Sequence, residues 1–329
     1  MLSKIRFAFL ASALLLLAQP AFATFSIVAY DPETGDLGVA VASLVFGVGN
    51  HVPWCEAGVG CVATQAYMNG SYGPRGLELL RQGLSAQQVV DKMLAEDPYP
   101  SKDGRQVAVV DAKGNVASFT GPIANNWAGG VKGAHYTIQG NILTGPHVVQ
   151  EMAKAFENSK GELAERLWIA LKAGDDAGGD RRGRQSAGLM VVRKGGGSAW
   201  GNDRLAYVNV NDDVDPVTEL GRELPLQLAW SLRGKRGPMV ASGKLDQAMI
   251  LADKIVRWEP HSGGDRINQG FIAYLSGDKS KALASITRAK QIDPDKFEMF
   301  WKRAIEAPET ATAYGKVLAD KEFMGQLPK

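Results

Sequence analysis

A threonine hydroxyl is a weak nucleophile until a base removes its proton. An N-terminal α-amine, with an ordinary pKa of about 7.7–8.0, can be that base on the same residue. This sequence is arranged to expose such a threonine. Lys4 and Arg6 precede an apolar run from Phe7 to Leu17, Pro20 ends the run, and Ala21-Phe22-Ala23 forms a small-x-small site. That is the pattern of a secretory signal peptide, so cleavage after Ala23 is expected to leave Thr24 first. The apolar run is shorter than the ~20 residues a membrane span needs. A periplasmic or secreted protein with no span after cleavage is the expectation.

Acyl transfer also needs donors for a developing oxyanion. Gln65, near the end of a glycine-flanked segment, and Asn141, after Gly140, are candidates. A structural hydrogen bond is the other reading for Gln65, and a turn residue for Asn141. Asp180, Arg181 and Arg182 form a polar knot before an apolar segment. A guanidinium of Arg181 or Arg182 can hold a substrate carboxylate bidentately. Asp180 can orient the terminal amine or an arginine. The alternative is a solvated loop with an internal ion pair. Gln185 and Ser186 stand at the mouth of the next strand, with Ser186 a candidate to orient the amine. Asp31 reads as a turn cap, and Ser26 and Ser43 have no base at a readable spacing.

Other chemistries lack their residues. The four histidines are scattered without H-x-x-x-H or H-E-x-x-H spacing, and two cysteines do not make a cysteine-based zinc site. There is no P-loop, no dinucleotide fingerprint and no G-x-S-x-G elbow. No cofactor and no metal are expected. Without the leader's Lys4 and Arg6, 37 − 2 = 35 basic residues balance 35 acidic ones, which gives no electrostatic reason to expect nucleic acid or an anionic membrane as partner. Cys55 and Cys61 flank the Glu56–Gly60 turn, and either a bridge in an oxidising compartment or two separate buried thiols is compatible with that spacing.

The elements that must position these residues follow from periodicity. Strands are predicted over 24–30, 37–43, 58–66, 106–110, 116–120, 136–140, 187–193 and 205–211. Helices are predicted over 72–82, 86–95, 148–156 and 163–173, with Ser85 capping the second. Strands come in contiguous pairs and do not alternate strictly with helices. That favours stacked antiparallel sheets between helical layers, an α+β sandwich, over a doubly wound nucleotide-binding fold. After Arg233, Gly234-Lys-Arg-Gly-Pro238 reads as a linker. Gly243, Ala248 and Pro260 then recur 34 residues later as Gly277, Ala282 and Pro294, the period of the tetratricopeptide repeat. Fewer than about three repeats do not stand alone, so this tail is expected to dock on the main domain, a protein partner or a second copy.

Val52-Pro-Trp54, Gly58-Val-Gly60, Ala63-Thr-Gln-Ala66, Tyr72-Gly-Pro-Arg-Gly76, Gln139-Gly-Asn141 and the run from Gly178 to Ala187 (GGDRRGRQSA) closely resemble a bacterial family. It is domain of unknown function 1028, placed in the N-terminal-nucleophile (Ntn) hydrolase superfamily. The resemblance covers about Thr24 to Asp215. Family members without a leader look like Met-Thr-Phe-Ser-Ile, so that loss of Met would expose the equivalent threonine. The resemblance implies a four-layer αββα sandwich and, by analogy, amide-bond hydrolysis; it supplies no substrate. Proteasome-like relatives tune the nucleophile with an early lysine, yet from Thr24 onward no lysine comes before Lys92 and no arginine before Arg75.

The sequence therefore predicts a signal peptide over 1–23, an Ntn-like domain over 24–233, a linker over 234–242 and a tetratricopeptide-like all-α domain over 243–329. The expected activity is cleavage of a small amide or peptide-like substrate by Thr24. The rival is a non-catalytic periplasmic scaffold that binds peptide or cell-wall material.

Overall fold

The computed structural model describes residues 23–97, 102–124, 127–198 and 202–327. The rest of the expected leader lies outside the described residues. Among those described, no helix is long and apolar enough to cross a membrane.

Among the described residues, ten strands form two antiparallel sheets. They are β1 (Thr24–Tyr30), β2 (Leu37–Ser43), β3 (Pro53–Glu56), β4 (Gly60–Ala66), β5 (Arg105–Asp111), β6 (Val116–Thr120), β7 (Trp127–Gly133), β8 (Tyr136–Leu143), β9 (Ser186–Val192) and β10 (Arg204–Val210). One sheet runs β10-β9-β2-β1-β8-β7 and the other β3-β4-β5-β6. β1 and β2 make the expected hairpin, with Thr24 opposite Ser43 and Tyr30 opposite Leu37. Asp31 closes its turn, its carboxylate accepting from the Glu33 N–H at 2.9 Å. On the other flank of β1, Thr24 faces Asn141 of β8. Cys55 and Cys61 are opposite each other on β3 and β4 and are bridged.

Alternation along β1 assigns its faces. Phe25 points to one side, where a Cβ on Gly174 or Gly179 would touch its ring. Ser26 points the other way and bonds Gln65 of the second sheet at 2.7 Å. Helices α1 (Tyr72–Arg81) and α2 (Ala86–Glu96) pack on the four-stranded sheet; Leu77, Val90 and Met93 join Val62, Val107 and Val109 in its core. Helices α3 (His147–Asn158) and α4 (Leu163–Asp176) pack on the six-stranded sheet. Two strands are absent from the sequence expectation, β3 and the glycine-rich β7.

The next helix, α5, runs unbroken over Pro216–Ala241. The segment read as a linker is therefore largely helical, and the predicted boundary after Arg233 needs correction. One compact unit comprises the chain to Leu189 with Asn209–Leu220, and the other Met190–Val208 with Gly221–Lys329. The reason lies in a distant acid. Arg233 and Arg236, one turn apart on the same helix face, both bind the buried Asp265, at 2.6 and 2.8 Å. That pair holds the helix through its Gly and Pro positions.

The remaining helices are α6 (Leu245–Trp258), α7 (Gly263–Leu275), α8 (Lys279–Ile292), α9 (Phe297–Glu306), α10 (Ala311–Ala319) and α11 (Lys321–Gln326). α8 and α9 start 34 residues after α6 and α7, so the repeat read in the sequence is a repeat of helix pairs. Gly243 and Gly277 hold left-handed backbone at φ 73° and 90° before each first helix, where a side chain would be strained. Small residues serve the close contact: a Cβ on Gly270 would lie 2.6 Å from Ile286. Phe271, Ile286, Tyr314 and Phe323 form the centre of this unit's core.

Burial opposes ionisation of Asp265, but Arg233, Arg236 and Ser262 outweigh it and hold the carboxyl below its usual range. The contribution of this charge is therefore present above about pH 4 and fades as acid protonates it. Asp265→Asn is expected to destabilise the helical unit by about 3 kcal/mol at pH 7. Urea unfolding followed by helix circular dichroism should show that the gap to the wild type narrows below pH 4.

Candidate active site

Thr24 opens β1 with its hydroxyl directed between the sheets, and with Ala23 still attached it is 1% exposed. Its Oγ1 donates to Ser43 Oγ at 3.2 Å. Ser43 in turn donates to the Ala23 carbonyl, which also accepts from Arg182 Nη2 at 3.1 Å. Two donors thus converge on the oxygen of the peptide group that the threonine nitrogen itself completes.

Arg182 is held by Asp180. Its Nε and Nη2 reach the two carboxylate oxygens at 3.1 and 2.9 Å. Asp180 also accepts from the backbone N–H groups of Leu44 and Arg182, both at 2.9 Å. The buried acid orients an arginine and fixes the 178–184 loop against the end of β2.

The Thr24 carbonyl is held by side-chain amides. Gln65 Nε2 donates to it at 3.1 Å and Asn141 Nδ2 at 3.5 Å. The same two groups donate to Gln106 Oε1, at 2.8 and 3.0 Å. Gln106 donates onward to the Gly140 carbonyl at 2.8 Å and to Thr120 at 2.9 Å. Asn141 Oδ1 is buried without a hydrogen-bond partner. The residues just after the two amides carry unusual backbone: Ala66 has φ 63° and Ile142 φ 52°. For a β-branched residue that region is a true outlier, and such strain collects at functional sites.

The structure gathers Thr24, Gln65 and Asn141, with Asp180 and Arg182 at the amino end of the threonine. It places the others apart from the hydroxyl. Ser186 donates to the Val45 carbonyl and accepts from the Val48 N–H at 3.0 Å, so it pins a loop rather than the amine. Gln185 Nε2 bonds Asp212 at 3.1 Å. Arg181 lines a cavity of about 530 Å³ beside Ser43, with Arg182, Arg184 and Asp175. Burial pushes the Asp175 carboxyl above its usual range, against the pull of Arg184 at 2.7 Å. A second, smaller cavity of about 120 Å³ is lined by Thr24 itself.

Ser43 and Gln106 are the residues that sequence reasoning missed. The signal for Ser43 is the hairpin register, since closing a turn at Asp31–Asp36 sets residue 43 beside residue 24. Gln106 has no such local signal: it stands opposite Gln65 and Thr120 in its own sheet and bonds Asn141 and Gly140 of the other.

The comparisons agree with this frame. The model of a family described as "Family of unknown function (DUF1028)" matches residues 24–220. The crystal structure of protein SPO2555 from Silicibacter pomeroyi, which carries the same DUF1028 designation, is 30% identical and superposes with a TM-score of 0.55. The match covers 61% of this chain and 84% of that one. No curated protein matches the sequence.

Removing the hub of the amide layer should be costly, because an unsatisfied buried donor costs about 1–3 kcal/mol. Gln106→Leu is expected to lower stability by roughly 2–4 kcal/mol. Hydrogen exchange should speed up at the Thr24 end of β1 more than at the β3–β4 hairpin.

Proposed function

We propose, for a chain that belongs to the DUF1028 family of unknown function, an exported amide hydrolase whose nucleophile is Thr24 and whose base is the Thr24 amine. The paired sheets with helices on both outer faces are then an Ntn-type αββα sandwich, and the 34-residue helix pairs a tetratricopeptide-like docking unit. The observation that carries the reading is Thr24 at the head of β1, its carbonyl held by two buried amides and its hydroxyl bonded to Ser43.

Thr24 Oγ attacks the substrate carbonyl carbon and its proton passes to the amine. The tetrahedral intermediate collapses, the C–N bond breaks, and the amine returns the proton to the departing nitrogen. Water, deprotonated by the same amine, then hydrolyses the ester. Gln65 and Asn141 have their N–H groups engaged by Thr24 and Gln106, so we assign them to positioning rather than to the oxyanion. Oxyanion stabilisation goes instead to Ser43 and Arg182, which already converge on a carbonyl oxygen. Arg181 is assigned to a substrate carboxylate. Asn141 Oδ1, opposite Thr24 and unsatisfied, offers an acceptor to the new ammonium. Arg182 supplies positive charge near that ammonium, and a neighbouring cation lowers an amine's pKa.

Mass spectrometry of the exported protein is expected to find Thr24 first. Thr24→Ala should keep its thermal unfolding profile and lose acylation by a β-lactone probe at least a hundredfold. Labelling of the wild type should rise with pH through a midpoint at or below about 8. Arg182→Gln should move that midpoint upward. A retained leader, or labelling that survives Thr24→Ala, would end this reading.

A further inference from the structure

The two cavities differ in kind, and Thr24 lines only one. The larger opens beside Ser43 and mixes charged walls, Arg181 and Asp175 among them, with apolar ones such as Phe25 and Val217. The smaller joins Thr24 and Gln65 to Val45, Val48, Val52 and Met68, with His51 also on its wall. We infer that the smaller cavity is the acyl subsite of the reaction proposed above, and that it selects a short aliphatic side chain. The inference rests on Thr24 as nucleophile.

Connectivity assigns the two ends of the substrate. The acyl part remains bonded to Thr24 Oγ through the second half-reaction, so its side chain belongs in the space that the threonine side chain itself borders. The amine part leaves after the first half-reaction, and the roomier cavity suits it, with Arg181 available to a carboxylate. The substrate class is thus an amide of a small apolar acyl residue with a carboxylate-bearing amine.

Volume sets the upper limit. An apolar cavity of about 150 Å³ is enough to take benzene. This one is about 120 Å³, with a carboxamide and a threonine hydroxyl among its walls. On that scale an alanine- to leucine-sized side chain fits, and a benzyl group, one methylene larger than benzene, is disfavoured. A carboxylate would lose its hydration among the valines, and no lysine or arginine stands among the lining residues.

The pocket is built before any ligand arrives. The 44–49 loop that supplies Val45 and Val48 is tied at four points. Leu44 N–H donates to Asp180 at 2.9 Å, and Gly47 N–H to the Asn211 carbonyl at 2.9 Å. Ser186 bonds both Val45 and Val48. Gly49 lies against β9 so closely that a Cβ on Gly188 would sit 2.5 Å from its Cα. Phe46 on the same loop is 62% exposed. Ser186, expected to orient the amine, would act instead by holding the wall of this subsite.

The test uses the full mature protein and four β-lactone probes that differ only in one substituent: methyl, isobutyl, benzyl or carboxyethyl. On reaction Thr24 Oγ bonds to the lactone carbonyl carbon, the ring C–O bond breaks, and the threonine proton ends on the released alkoxide. The Thr24 peptide therefore gains the whole probe mass. The methyl and isobutyl probes are expected to label at least tenfold faster than the benzyl and carboxyethyl probes. Val48→Ala should raise the benzyl rate relative to methyl about tenfold, and an unchanged thermal unfolding profile would show that the variant folds. Equal labelling by all four probes overturns the subsite and leaves Thr24 as nucleophile. Failure of every probe to label Thr24 removes the nucleophile, and the subsite with it.

Discussion

Between the two sheets lies a buried layer of side-chain amides whose N–H groups bond one another and nearby backbone carbonyls. Gln65 and Gln106 come from one sheet, and Gln139 and Asn141 from the other. A buried amide left without partners costs about 1–3 kcal/mol, so the layer favours one relative placement of its strands. β1 is fixed most tightly, since its first carbonyl and its Ser26 hydroxyl both end in this network. A slip of one residue would turn Phe25 into the polar layer and Thr24 toward the helices. The position of the Thr24 hydroxyl is thus a consequence of strand register.

The same network explains where the backbone is strained. Gln65 and Asn141 both reach the Thr24 carbonyl, and the residue after each takes a left-handed conformation. For an L-residue this costs roughly 1–2 kcal/mol, which a well-satisfied sheet can bear. At Ile142 the altered direction has a use. Its carbonyl accepts from the Arg181 N–H at 3.2 Å, and Leu143 forms an isolated bridge with Asp180. The end of β8 thereby anchors the loop that carries Asp180 and Arg182 to the amino end of Thr24.

Local patterns in the sequence were enough for the central hairpin, the amphipathic helices and the 34-residue repeat, because each rests on period or turn chemistry within a few residues. β7 was not legible, since its glycines (WAGGVKG) give no alternation and its pairing partner supplies the pattern. The supposed linker was misread for a related reason. Gly234 and Pro238 are genuine punctuation, but Arg233 and Arg236 meet Asp265 some thirty residues on, and that contact governs. At the site, Thr24, Gln65, Asn141, Asp180 and Arg182, each singled out for its chemistry, lie close together. Which amide donates to which carbonyl was not legible, because the partners lie on separate strands and opposite sheets. The Cys55–Cys61 spacing allowed a bridge or two thiols, and the β3–β4 register decides for the bridge.

The missing early lysine bears on how the proposed chemistry would be tuned. A cation near an N-terminal ammonium favours the neutral amine, and the effect depends on distance rather than on sequence position. Here the nearest candidate is a guanidinium delivered from 158 residues downstream by a glycine-rich loop, 3.1 Å from the carbonyl that precedes Thr24. Its partner Asp180 offsets part of the charge but fixes the geometry through two contacts and two backbone donors. Arginine suits that arrangement better than lysine. It stays protonated at any working pH and keeps N–H groups to donate after a carboxylate has taken two. A site that recruits its cation this way needs the loop, the end of β8 and the start of β1 to be held together, and the amide layer and the Asp180 contacts hold all three.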